Sequence, residues 1–177
     1  MTLFVVQLVI KNKRIIKIFF MDIEYINIYN NLINLTRNKK LFIYFTKNDE
    51  FSDRLIIFLI HFAFFLKVFK SQVSVKKMQN LYDYVFKQLE ISIREIGYGD
   101  ASINKKMKDY INLFYSIINQ IDGWDKYDFQ KKNAFFSDYL NKSINIDKLT
   151  VYFDNYYIFL SNNTFNSFSK GVIKAKF

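Results

Sequence analysis

Proline is absent from this 177-residue chain, and glycine occurs only four times. That scarcity of backbone breakers constrains the fold more than any other feature. Folds of many short strands need frequent tight turns, which are rich in Gly and Pro. Long helices are the elements that suffer most from those residues. Apolar residues make up 51% of the chain, enough for a sizeable core and too many for disorder by composition. The length is normal for one domain. The sequence therefore reads as all-α: a single-domain helical bundle.

Periodicity supplies the helices. Ile26, Tyr29, Leu32 and Ile33 have helical spacing before a polar break at Asn38-Lys39-Lys40. Leu55 to Leu66 is apolar apart from His61, with Ser52 or Asp53 placed to cap it. The run falls short of about 18 uninterrupted apolar residues and is punctuated by His61 and Lys67, so it reads as a core helix rather than a membrane span. Gln79 to Ile96 is the clearest amphipathic segment, with Leu81, Val85, Leu89 and Ile96 in one stripe. Gly97 sits where a left-handed residue would end it, Gly99 permits a second unusual angle, and Asp100 or Ser102 is placed to cap the next helix. That helix carries Met107, Ile111, Phe114, Ile118 and Ile121 on one face and stops at Gly123. Two helices joined by a short glycine turn predict an antiparallel hairpin around Gly97–Asp100.

Downstream, Tyr127 to Leu140 reads as a further helix. Leu149 to Leu160 suits a strand or a buried helix, and helix is taken because no partner strand is evident. Asn162 to Ser169 reads as a polar loop and Gly171 to Phe177 as a tail. At the other end, residues 1–20 stand apart as a basic and apolar extension preceding a domain over 21–177. Its apolar patch, Leu3 to Ile10, comes before Lys11, Lys13, Arg14 and Lys17, the reverse of a secretory signal. Two readings fit: an amphipathic membrane-surface segment, or an upstream extension with Met21 as the start.

Composition also limits the chemistry. Without cysteine there is no disulfide framework and no thiolate metal site. His61 is the sole histidine, which removes histidine metal clusters and leaves a Ser-His-Asp apparatus without support. His61 reads as a satisfied, partly buried side chain. A carboxylate pair such as Asp53 with Glu95 could in principle do acid–base chemistry, but no spacing demands it. The reading is of a non-enzyme, with no catalytic residue, no metal and no cofactor. The formal charge of +10 favours anionic partners: nucleic acid, ribosome or an anionic membrane face. Lys105, Lys106 and Lys108 crowd a helix start, where the dipole disfavours cations, so they read either as an anionic-surface contact or as a solvated face.

One stretch carries a family resemblance. Ser92-Ile93-Arg94-Glu95-Ile96-Gly97-Tyr98-Gly99-Asp100 resembles the leucine-arginine-glutamate then glycine-x-glycine-aspartate signature of the ubiquinol–cytochrome c chaperones. Leu81-Tyr82-Asp83 and Phe86 resemble the preceding helix of that family. Lys105-Lys106-Met107-Lys108 and Phe114-Tyr115 resemble the following one. Arg37, Tyr44, Asp53, Arg54 and His61 match upstream residue types, and Asn133 and Gly171-Val172-Ile173 are weaker echoes. The chain departs from the pattern at Ser116 and Ile117, where the family commonly has glycine and arginine, and at Glu90, where aspartate is usual.

The resemblance implies a helical assembly factor for the respiratory ubiquinol–cytochrome c reductase (complex III) that binds newly made cytochrome b. It also implies work near the ribosomal exit region with a small partner chaperone. The implied location is cytoplasmic and peripheral to the inner membrane, on the matrix side in a mitochondrion. By resemblance the client contacts are Asp53, Arg54, His61, Arg94 and Glu95, then Gly97, Gly99 and Asp100 of the turn, then Phe114 and Tyr115. The expected mechanism is an apolar or aromatic groove rimmed by Arg54, Arg94, Glu95 and Asp100 that engages an apolar client segment. A basic RNA- or ribosome-binding module is the alternative function.

Overall fold

The computed structural model of the protein describes residues 23–42, 51–140, 145–170 and 173. Among them are helices α1 (23–36), α2 (Lys39–Phe42), α3 (Phe51–Phe69), α4 (Val75–Glu95) and α5 (Asp100–Ile121). A 3-10 turn (Trp124–Lys126), α6 (Phe129–Tyr139), α7 (Ile146–Ser161) and α8 (Phe165–Ser169) follow. No strand occurs among the described residues. The extension at 1–20, Met21 and Tyr44 lie outside them, as does the tail except Ile173.

Helix α3 occupies the centre. It is apolar on all sides, and Phe58, Phe62, Phe64, Phe65 and Phe69 are all buried. Each such ring contributes roughly 1.5–3 kcal/mol by leaving water. Helices α5 and α7 pack directly against α3. Phe62 stacks on Phe114 of α5 at 5.2 Å, and Phe64 stacks on Phe153 of α7 at 5.6 Å. No helix among the described residues is long and apolar enough to cross a membrane.

Helix α4 starts a turn earlier than its hydrophobic stripe, because Ser74 accepts a hydrogen bond from the Lys77 N–H and caps it there. Its buried stripe is Leu81, Val85, Leu89 and Ile93; the expected Ile96 is exposed beyond the helix end. Tyr82 and Phe86 meet Phe114, and Tyr82 also meets Tyr115. These pairs are nearly symmetric about the turn, so α4 and α5 run antiparallel, as the glycine turn predicts. On α5 the fully buried face is Ile103, Phe114, Ile117 and Ile121, with Ile111 and Ile118 half-buried at its flank. The sequence stripe was thus rotated slightly from the true face.

Helix α7 resolves the ambiguous segment. Asn145 accepts from the Lys148 N–H at its start, and Leu149, Tyr152, Phe153, Tyr156 and Leu160 are buried at helical spacing. Asn133 ties α6 to it, donating to Asp147 and accepting from the buried Thr150 hydroxyl. Trp124 donates its indole N–H to Asp154, which also pairs with Lys132 at 2.8 Å. The expected polar loop at 162–169 contains α8 instead. A Thr164–Ser167 capping box starts it, and Phe165 and Phe168 are buried against Phe65 and Phe69. Helix α1 is held by Asn27 and Asn31, which donate to carbonyls of Ser169 and Phe168.

His61 lies fully buried at the α3–α7 contact. Its Nδ1 is 2.8 Å from the Ile57 carbonyl, which can only accept, so the proton resides there and Nε2 accepts from Tyr152 Oη at 2.9 Å. Burial, opposed by the Ile57 bond, lowers its pKa from 6.5 to about 3. The folded protein therefore keeps His61 neutral where the unfolded chain protonates it. Its contribution is complete above pH 6.5 and is lost as pH falls toward 3. Between pH 6 and 4 the unfolding free energy of the wild type should fall more steeply than that of His61→Gln, by about 1.4 kcal/mol per pH unit. Parallel urea-derived slopes for the two proteins would refute this assignment.

Candidate functional site

An open cleft of about 190 Å³ lies where α1, α3 and α4 meet. Leu55 and Phe58 from α3 and Leu89 from α4 form its apolar lining, joined by Tyr29 and Ile33 from α1. Tyr29 is held edge-on to Phe58 at 5.7 Å. Space remains because two lining positions are small. Thr36 turns its hydroxyl onto the Leu32 carbonyl, and Ser92 turns its own onto the Gln88 carbonyl. Both hydroxyls are thus spent on their own helices. Among the described residues, the charged side chains at the cleft are two guanidiniums, Arg37 and Arg54.

The volume is below the roughly 300–1,000 Å³ of small-molecule sites. It suits one large anchoring side chain of a partner. Neither Asp53 nor Glu95 lines it, and its lining among the described residues holds no paired carboxylates. Among the described residues, no group of His, Asp and Glu could hold a metal ion.

The expected rim does not converge. Arg54 lines the cleft, but Arg94, Glu95 and Asp100 do not. At roughly 100° per residue, Leu89 and Ser92 point one way along α4 and Arg94 points nearly the opposite way. Arg94 instead brackets the hairpin turn, pairing with Glu90 at 2.7 Å and with Asp100. Hydrogen bonds to Glu90 and then Asp100 raise its pKa further. This exposed bracket ties the end of α4 to the start of α5. The glutamate at 90 performs the pairing, one turn before Arg94.

Other sequence-predicted positions separate by burial. His61 and Phe114 are fully buried and present no surface to a client; each is packed by rings of the core. Tyr115 is 53% exposed, and its contact with Tyr82, together with burial as the larger cause, raises the Tyr82 pKa. Asp53 sits in the first turn of α3. Lys105 and Lys108 are exposed, while Lys106 lies over the Tyr98 ring at 4.5 Å. The departures at 116 and 117 have a local account: Ser116 hydrogen-bonds Tyr139 of α6, and Ile117 fills the core where a guanidinium would be buried.

The turn corrects two cap expectations. Gly97 has φ +97°, as a helix-ending glycine should. Gly99 is ordinary extended backbone at φ −70°, ψ 153°, and is itself the N-cap. Asp100 is the first helical residue and binds Arg94, and the Ser102 hydroxyl donates back to the Gly99 carbonyl.

Residues 44–129 match the family model described as Ubiquinol-cytochrome C chaperone. The match spans just under half of the chain and covers α3, α4, the turn and α5, bearing out the resemblance centred on Ser92–Asp100. The cleft walls from α3 and α4 fall inside it, and the α1 wall falls outside. No curated protein and no solved structure matches the chain.

Within the matched turn the two glycines have different physical reasons. A Cβ at either meets nothing within 4 Å, so only backbone conformation distinguishes them. Gly97→Ala forces a side chain into positive φ and should cost about 1–2 kcal/mol. Gly99→Ala loses a favoured N-cap residue but stiffens the unfolded chain, and should change stability by less than about 0.5 kcal/mol. Urea unfolding of both variants checks this ordering.

Proposed function

Because residues 44–129 carry the ubiquinol-cytochrome C chaperone match, we propose that this protein is a non-enzymatic assembly factor for ubiquinol–cytochrome c reductase that receives newly made cytochrome b in the α1–α3–α4 cleft. The cleft carries the reading. It is an apolar, solvent-open anchor site with charged groups at its edge, and it is too small for a cofactor. A chaperone of a membrane subunit must cover apolar surface until assembly, and an anchor pocket does so reversibly. The protein acts from the membrane surface, close to where the client emerges from the ribosome. Lys105 and Lys108 supply cations for an anionic surface there.

Ser92 gives direct access to this idea. It is half-buried, lines the cleft, and uses its hydroxyl only within α4. Ser92→Trp places an indole in the cleft. In the native host it should abolish accumulation of assembled reductase while leaving the thermal midpoint close to wild type. Ser102→Trp, exposed at the start of α5, should leave assembly intact. Normal reductase levels in a stably folded Ser92→Trp strain would overturn the cleft's role.

A further inference from the structure

We infer that the cleft selects an acidic side chain set beside a large apolar one, so that the client segment it takes is apolar but carries a carboxylate. The inference rests on the reading of the cleft as the client seat. It goes further by naming what that segment must contain. Three observations on this structure lead to it. The lining from Leu55, Phe58 and Leu89 is apolar and holds roughly one large side chain. The hydroxyls of Thr36 and Ser92 are turned onto carbonyls of their own helices, which leaves the Tyr29 phenol as the neutral hydroxyl on the described lining. Among the described residues, the charges that line the cleft are both positive, Arg37 from the end of α1 and Arg54 from the first turns of α3.

A guanidinium presents five donors in a planar fork, so it can keep an existing partner and still receive a second carboxylate. Two guanidiniums lining one cleft, one just past α1 and one on α3, offer donors to an incoming anion from two segments of the chain. A carboxylate there gains an ion pair and two acceptor oxygens for the fork, where an amide of the same shape offers one neutral acceptor and an NH2 that cannot accept. An apolar segment bearing a lysine is repelled at the same place. The cleft thus accepts apolar segments by their anchor residue and sorts them by charge, which an apolar groove alone cannot do.

The test uses the full chain and a fluorescein-labelled 15-residue peptide, rich in Leu and flanked by Ser. The peptide has one Phe and one Glu four residues apart, one helical turn in a bound helix. Fluorescence anisotropy should show binding that weakens about tenfold or more when the peptide Glu is replaced by Gln. Arg37→Glu, at an exposed position checked for folding by circular dichroism, should bind a Lys peptide better than the Glu peptide. Equal affinity for the Glu and Gln peptides would overturn charge selection while leaving the apolar seat in place. Ser92→Trp separates the two ideas: binding of both peptides that is unaffected by it would place them elsewhere and overturn the seat itself.

Discussion

The burial of α3 on every side is the constraint on which the rest of the molecule depends. A helix that is apolar all round cannot lie on a surface, so neighbours must cover each of its faces. Helices α5 and α7 do so through stacked rings, Phe62 on Phe114 and Phe64 on Phe153. Helix α8 closes the end at Phe65 and Phe69. His61 is the one polar side chain buried within α3, and it is tolerated because both ring nitrogens have partners. Among the described residues, the cleft is where this covering is incomplete. At the N-terminal part of α3, Thr36 and Ser92 are too small to close the space over Leu55 and Phe58.

Much of this was legible in the sequence, for reasons that can be named. Without proline, and with apolar residues repeating at helical spacing, the chain had little access to anything but helices. The hairpin was readable because Gly97 needs its positive φ and a short link leaves α4 and α5 antiparallel. The misses were local. Helix α8 resembles a loop in sequence because Asn, Ser and Thr dominate its surroundings, although Phe165 and Phe168 at a spacing of three are the helical signal. Asp100 and Ser102 are both good capping residues by type, yet Gly99 holds the cap position and Asp100 binds Arg94 from the first helical position.

The cleft was less legible, because it is assembled from three helices far apart in sequence. A family resemblance points to Arg54, but nothing in the sequence marks Thr36, Leu89 or Ser92 as cleft residues. Small polar residues whose hydroxyls fold back onto their own helices leave no trace in periodicity. Arg94 and Asp100 stand out in sequence because they match the family signature, and in the structure they hold the turn. A sequence signature thus marked the scaffold beside the cleft, while α4 carried its cleft-facing residues on the other side.

The central claim is that an assembly client sits in the α1–α3–α4 cleft, and site-specific photo-crosslinking tests it most directly. A crosslinker at position 92 in the native host, compared with one at exposed Val151 on α7, reads which face meets the client. The account predicts capture of newly made cytochrome b from position 92 and none from 151. Capture from 151 alone, or capture only of ribosomal components from position 92, would contradict it.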